Sequence, residues 1–118
     1  IKKHLQKQIK ISIKAGINEN SIVIDPGIGF GKTTKQNLTL IKKAKEFSKL
    51  KIPLMYGVSN KSFIGDILNI KNPKKRINGS IITSLFCLSY GANLIRVHNI
   101  RETSEMIKIW KELSNVWN

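Results

Sequence analysis

The sequence predicts an α/β fold built on parallel strands, and three observations lead to this class. Short apolar runs alternate with amphipathic segments along the 118 residues, as strands alternate with helices in such folds. The runs are rich in valine and isoleucine, as expected of parallel strands buried on both faces. Polar residues follow the end of each run, which is where α/β folds place their ligands.

The first part of the chain predicts a helix, a strand and a second helix. Apolar residues recur every fourth position from Ile1 to Ile13, which predicts an amphipathic helix that ends near Gly16. A strand is expected over 22–25. After a glycine-rich turn, a second helix is indicated by the apolar stripe Leu38, Ile41, Ala44 and Phe47, with the preceding threonines available as its cap.

The remainder predicts two more strands and three helices. In order, we expect a strand at 54–58, a short helix through Leu68, a helix from Ile77 to Gly91, a strand at 93–98 and a final helix with apolar residues from Met106 to Trp117. The order α-β-α-β-α-α-β-α requires parallel strands with right-handed crossovers. No repeat or linker divides the chain, so residues 1–118 are expected to form one domain or a part of one.

The charge and composition argue against several functional classes. A formal net charge of +14 suggests nucleic acid at first, but the lysines are scattered, arginine is scarce and no aromatic residues interleave with them. Solvated helix faces explain most of this charge, and some of it favours an anionic substrate. The sequence has neither a membrane-length apolar stretch nor a signal-peptide pattern, and a single cysteine, Cys87, fits core packing in a reducing compartment. We therefore expect a cytoplasmic protein with no nucleic-acid or membrane partner.

The segment from Asp25 to Thr33 is the strongest sign of a site. Gly27, Gly29 and Gly31 allow the backbone to bend sharply and to approach a bound molecule. The final Gly-Lys-Thr suggests a phosphate-binding P-loop, but that motif needs a glycine where this chain has Pro26. The spacing G-x-G-x-G also fails the dinucleotide pattern. A structural turn without a ligand is the alternative for this segment.

All three predicted strands end in polar groups. Asp25 follows the first strand, Ser59 and Lys61 follow the second, and Arg96 and His98 end the third. Because the carboxyl ends of parallel strands share one edge, these residues are expected to converge on one pocket. Arg96 and His98 are two residues apart, so both project from the same face and suit a phosphate. A histidine that is merely hydrogen-bonded at a strand end is the alternative.

Two further side chains could bind a ligand at these ends. Ser62 opens the short helix, where it could bind an anion together with neighbouring amides or could simply act as the N-cap. The carboxylate of Asp25 could accept paired N–H donors from a heterocycle, although an aspartate before proline is also a turn former.

Four segments together resemble dihydropteroate synthase, a pterin-binding family. They are Asp-Pro-Gly-Ile-Gly-Phe-Gly-Lys at 25–32, Gly-Val-Ser-Asn-Lys-Ser-Phe-Ile-Gly at 57–65, Arg76 with Gly79-Ser80, and Arg-Val-His at 96–98. These segments follow in order across nearly the whole chain and are similar to the carboxyl-terminal part of that enzyme. The resemblance implies the last three βα units of a (β/α)₈ TIM barrel with parallel strands.

The resemblance also implies an activity in folate biosynthesis. The family is an alkyl-group transferase that condenses 6-hydroxymethyl-7,8-dihydropterin pyrophosphate with 4-aminobenzoate, forming 7,8-dihydropteroate and pyrophosphate. Mg²⁺ is implied as cofactor, with ligands from the pyrophosphate and from the family's amino-terminal part rather than from this chain. A homodimer of the intact enzyme and inhibition by sulfonamides are implied as well.

The family pattern assigns roles on the pterin side. By resemblance, Asp25 hydrogen-bonds the pterin ring, and Lys61 contacts the ring's carbonyl and a ring nitrogen. Arg96 stacks on the pterin and, together with His98, holds the pyrophosphate. Lys61, Arg96 and His98 are therefore the catalytic candidates.

On the aminobenzoate side, Ser62 would receive the carboxylate beside Gly29 and Phe30. Two positions depart from the family, which usually has arginine in place of Asn60 and aspartate in place of Asn99. With asparagine at position 60, the pocket wall or the loop contacts are expected to differ from those of the family.

Three strands do not complete a barrel, which needs eight strands and roughly 250 residues. We therefore expect the 118-residue chain alone to be inactive. Two other functions stay open at this stage. One is another pterin-binding barrel, such as a methyltetrahydrofolate methyltransferase, and the other is a non-catalytic basic module that binds nucleic acid.

Overall fold

The computed structural model describes residues 1–115, which form helices around a small parallel sheet. The helices are α1 (Lys2–Lys14), α2 (Thr34–Lys42), α3 (Ala44–Ser48), α4 (Ser62–Leu68), α5 (Ile77–Ser89) and α6 (Ile100–Asn115). The strands are β1 (Met55–Tyr56) and β2 (Leu94–Ile95), and 3₁₀ turns cover Glu19–Ser21 and Pro73–Lys75. The α/β class is confirmed. The predicted contribution of Val116 and Trp117 to the last helix lies outside the described residues.

The strands are parallel, as predicted, but shorter than the apolar runs. Met55 pairs with Leu94 and Tyr56 with Ile95. The predicted strand at 22–25 was wrong in extent, because only Ile24 forms a parallel bridge, to Leu54. The strands predicted at 54–58 and 93–98 likewise pair over only two residues each.

The ladder ends early because backbone groups beyond it bind side chains instead. The N–H of Arg96 still donates to the carbonyl of Tyr56 at 3.0 Å, but the N–H of His98 donates to the hydroxyl of Ser59 at 3.3 Å. Burial on both faces was also wrong for part of the sheet. Val23 is 48% exposed and Leu94 43% exposed, so neither side chain is covered by the described residues.

The core lies between the sheet and the helices. Leu54, Tyr56 and Val58 are fully buried and project from the β1 segment, and Phe47 and Phe63 pack in the same cluster. Burial of such side chains contributes roughly 1.5–3 kcal/mol each relative to full exposure. This core fixes the positions at which the two strands end.

The helix predicted across Leu38 to Phe47 is divided in two. The backbone leaves helical geometry at Lys43, between α2 and α3. The hydroxyl of Tyr56 donates to the carbonyl of Leu40 at 2.8 Å, so a group from the core occupies an acceptor near the end of α2. The predicted threonine cap is confirmed, since Thr33 forms a reciprocal capping box with Gln36.

The first helix is less buried than its pattern suggests. Leu5 and Ile9 pack partly against the core, whereas Ile1 and Ile13 at the two ends of the stripe are exposed. Among residues 1–115, no helix combines the length and apolar character that crossing a bilayer requires.

Cys87 is fully buried on α5, as its predicted packing role requires. Burial raises the pKa of the Cys87 thiol to about 12, so the thiol stays neutral and unreactive in the folded chain. Burial raises the pKa of the Tyr56 hydroxyl as well.

The buried thiol predicts a loss of stability at alkaline pH. Because the folded pKa is the higher one, its stabilising contribution is complete below the ordinary value of 9.0 and is lost as pH rises toward about 12. We expect the free energy of unfolding, measured with urea across this range, to fall less steeply for Cys87→Ala. A slope unchanged by Cys87→Ala would assign the whole effect to other groups, Tyr56 first among them.

Candidate functional site

A cavity of about 550 Å³ lies beyond the carboxyl ends of β1 and β2. Its lining residues come from both strand ends and from the loop before α5, and they are Gly57, Ser59, Asn60, Lys61, Pro73, Lys74, Arg96, Val97 and His98. The lining contains lysine, arginine and histidine side chains but no carboxylate. Such a cavity suits an anionic ligand.

The guanidinium of Arg96 lies against the backbone of Gly57. A β-carbon added at Gly57 would stand 2.7 Å from Nη2 and 3.2 Å from Cζ of Arg96, so glycine alone leaves room for this placement. The ion pairs found among residues 1–115 lie elsewhere, on Lys2, Lys49 and Arg101. The charge of Arg96 is therefore available to a ligand.

His98 is tied to the end of the neighbouring strand by Ser59. Its ring Nδ1 lies 2.9 Å from the Ser59 hydroxyl, and its backbone N–H donates to the same oxygen. Ser59 is buried, whereas His98 is exposed. The predicted convergence of the second and third strand ends is thus found in the structure.

Lys61 connects this cavity to the glycine loop. Its ammonium lies 4.4 Å from the centre of the Phe30 ring, a cation–π contact. A β-carbon at Gly29 would approach Cδ of Lys61 to 2.9 Å, so this glycine permits a close approach. Gly29, Phe30 and Lys61, expected at one site, are adjacent.

The glycine loop is closed by its own lysine. Lys32 donates from Nζ to the carbonyl of Gly27 at 2.6 Å and to that of Phe30 at 2.9 Å. The loop's three glycines have the positive φ angles +76°, +87° and +59° at Gly27, Gly29 and Gly31. The lysine serves the loop itself, in agreement with the mismatch to the P-loop motif.

Asp25 and Ser62 lie outside the cavity lining. Asp25 is half-buried, and its Oδ1 accepts the N–H of Gly27 at 2.8 Å. Ser62 is exposed and is the first residue of α4. The interpretation of Ser62 as the N-cap was wrong, because Lys61 occupies the cap position and makes no side-chain cap hydrogen bond.

Asn37 is a positioning residue that the sequence analysis missed. It is 1% exposed, and its Oδ1 accepts the N–H of Gly29 at 2.8 Å, which fixes the glycine loop to α2. The signal that could have found it was an amide within the apolar pattern of a helix, since a buried amide needs partners.

Arg76 holds the loop that carries Lys61. It is 8% exposed and donates to three carbonyls, those of Ile70 (3.0 Å), Asn60 (2.9 Å) and Lys71 (2.9 Å). Ser80 donates to the carbonyl of Arg76 and accepts the N–H of Asn60 at 2.9 Å. Asn60, with φ +58°, is thereby held in the left-handed conformation before Lys61.

Asn99 ends the third strand segment and precedes α6. Its carbonyl accepts from both the N–H and the hydroxyl of Thr103, while its side-chain oxygen is buried without a partner among the described residues. Nothing in the structure explains an amide at this position, where the resemblance implied an aspartate. Across residues 1–115 there is no group of three or more His, Cys, Asp and Glu side chains that could hold a metal ion.

The family model described as "Pterin binding enzyme" matches residues 1–98. This chain belongs to the pterin-binding enzyme family. Among its relatives, dihydropteroate synthase of Escherichia coli (strain K12) is 36% identical over 109 residues, covering 92% of this chain. The enzyme of Synechocystis sp. is 38% identical over 102 residues, covering 86%.

Solved pterin-binding structures match the fold closely. Dihydropteroate synthase from Xanthomonas albilineans in complex with 7,8-dihydropteroate has a TM-score of 0.96 and 32% identity, covering 98% of this chain and 44% of that one. The Thermus thermophilus enzyme in complex with 4-aminobenzoate has a TM-score of 0.90 and 35% identity, covering 95% and 43%. This chain spans only 38% of the length of the Escherichia coli relative and 35% of the Synechocystis one.

Proposed function

We propose that this chain is the carboxyl-terminal part of a dihydropteroate synthase and supplies the last three βα units of a (β/α)₈ barrel. The supporting observation is the cationic cavity at adjacent strand ends, in a family member whose relatives are named as that enzyme. Two of its structural neighbours hold dihydropteroate or 4-aminobenzoate. The remaining strands would come from the part of the enzyme that this chain does not span.

In this proposal the cavity receives pterin pyrophosphate. Arg96 stacks on the pterin from its place against Gly57 and, with His98, holds the pyrophosphate. Lys61 contacts the pterin carbonyl and a ring nitrogen. Asp25 accepts N–H groups of the ring, with one oxygen already held by the loop.

The proposed aminobenzoate side consists of Ser62, Gly29 and Phe30. Ser62 receives the carboxylate, and the exposed ring of Phe30 lies beside the glycine loop. Lys61 contacts Phe30 and lines the cavity, so it lies where the two substrates would meet. Sulfonamides would compete for this side.

The reaction transfers the pterin methylene carbon. The carbon–oxygen bond to pyrophosphate breaks first and leaves that carbon cationic. The amine nitrogen of 4-aminobenzoate then bonds to the carbon and loses a proton. Negative charge grows on the leaving oxygens, and the cations of Arg96, Lys61 and Lys74 lie on the cavity wall where they would stabilise it. No nucleophilic side chain is required.

Mg²⁺ remains part of the proposal, with ligands from the pyrophosphate and from outside this chain, since the described residues offer no carboxylate cluster. When bound, it would neutralise charge on the leaving group. A homodimer of the intact enzyme and a cytoplasmic location, without nucleic-acid or membrane partners, complete the proposal.

A hybrid enzyme tests this function. In the hybrid synthase, the 118 residues replace the matching segment of the Escherichia coli enzyme. We expect the hybrid to form dihydropteroate from both substrates. The hybrid that carries Lys61→Ala should lose most of this activity, and the 118-residue chain alone should show no turnover.

Two results would contradict this proposal. A hybrid that melts cooperatively and binds pterin pyrophosphate but neither 4-aminobenzoate nor a sulfonamide would contradict the synthase and favour another pterin-binding barrel. Turnover by the isolated chain at a rate comparable to the hybrid would overturn the partial-barrel assignment.

A further inference from the structure

Ser59 and His98 form a unit that joins the ends of the two strands. From their geometry we propose that Ser59 is a positioning residue: it fixes His98 in the tautomer that carries its hydrogen on Nε2, so that the ring donates this N–H to an anionic group in the cavity. The inference rests on the proposed function only for the identity of that anion, the pyrophosphate.

A count of hydrogens assigns the tautomer. The Ser59 oxygen accepts the backbone N–H of His98 and lies 2.9 Å from Nδ1 of the same residue. If Nδ1 carried the hydrogen, it would also donate to this oxygen, and the serine hydrogen would have no acceptor among the described residues. If Nδ1 is unprotonated, the serine donates to it and both contacts are satisfied. The second arrangement leaves the ring hydrogen on Nε2.

Burial makes this choice energetically significant. Ser59 is only 5% exposed, so water has little access to an unpaired hydroxyl hydrogen there. A buried polar group without a partner is costly, whereas one more satisfied hydrogen bond is favourable. Val58 before it is fully buried and Asn60 after it is held by Ser80 and Arg76, so the serine itself is firmly placed.

The other ring nitrogen is free to meet a ligand. His98 is exposed and lines the cavity, and Nε2 makes no hydrogen bond among residues 1–115. A neutral imidazole with its N–H directed at the anion adds a donor beside Arg96. Fixing one nitrogen in order to set the role of the other is how hydrogen-bonded histidines are oriented in many sites.

Nitrogen-15 NMR of the histidine rings of the 118-residue chain at alkaline pH, where imidazole is neutral, tests the tautomer directly. Exposed His4 on α1 provides an internal control. We expect the ratio of the Nε2–H form to the Nδ1–H form to be about fivefold higher for His98 than for His4, the factor that one net hydrogen bond supplies. In Ser59→Ala this excess should disappear, and Ser59→Thr should retain it.

A dominant Nδ1–H form at His98, or an excess that persists in Ser59→Ala with an otherwise unchanged spectrum, would overturn the proposal. Inorganic pyrophosphate is the probe for the ligand, and we expect it to shift the Nε2 signal of His98 but neither ring signal of His4. If the tautomer ratio is as expected but pyrophosphate leaves His98 unchanged, the anion assigned by the proposed function fails while the role of Ser59 stands.

Discussion

Replacing Arg96 with lysine in the hybrid synthase is expected to lower kcat/KM about 10–100-fold, less than the roughly 10²–10³-fold loss in kcat that follows outright removal of a group that stabilises developing charge. Lysine keeps the charge but not the planar fork that can stack on a ring and bind a phosphate with two parallel N–H groups. The flat guanidinium fits against Gly57, where a side chain would collide with it. The measurement is steady-state formation of dihydropteroate with each substrate varied in turn.

Two further variants separate the effect of the position of the Arg96 guanidinium from the effect of its charge. Gly57→Ala leaves Arg96 in the chain but displaces its guanidinium, because the added carbon would lie 2.7 Å from Nη2, so we expect a loss of the same direction. Arg101→Lys is the matched control, since Arg101 lies exposed on α6 in an ion pair with Glu105. Equal kinetics for Arg96→Lys and Arg101→Lys would exclude the proposed role of Arg96.

The convergence at the cavity could be predicted from sequence because it depends on topology. Once Ser59 and His98 are placed at the ends of neighbouring parallel strands, they must share one edge of the sheet, whatever the strand lengths are. The lengths themselves could not be predicted. The ladder stops where the Ser59 oxygen accepts the backbone N–H of His98, a contact between residues 39 positions apart. Local patterns contain no information about such a contact.

The roles of the supporting residues could not be predicted for the same reason. In the sequence, Asn37 is a polar position on an amphipathic helix, and Arg76 is the end of a basic loop. Their roles arise from backbone groups that other segments bring to them, namely the N–H of Gly29 and the carbonyl of Asn60. For Asp25, the position after the first strand could be predicted from sequence. The hydrogen bond that its carboxylate accepts from the N–H of Gly27 could not.

Arg76 is expected to be the most important of these residues for stability. Arg76→Met keeps much of the stem volume but removes the donors to three carbonyls, and we expect it to lower the free energy of unfolding by about 3 kcal/mol, after allowing for relief of the desolvated charge. Arg76→Lys keeps one donor group, so its free energy of unfolding should lie between those of the unchanged chain and Arg76→Met. Urea unfolding of the 118-residue chain measures both, with Arg101→Met as the exposed control.

A second substitution tests whether the guanidinium of Arg76 occupies the space next to α4. A β-carbon added at Gly65 on α4 would overlap the guanidinium of Arg76, so Gly65→Ala should cost about 1–3 kcal/mol, as overpacking does. In the Arg76→Met background the alanine should cost much less, because the flexible methionine stem can move aside. The two changes should therefore be strongly non-additive. Additive losses would show that Arg76 does not fill the space above Gly65, and the loop before Lys61 would then need another anchor.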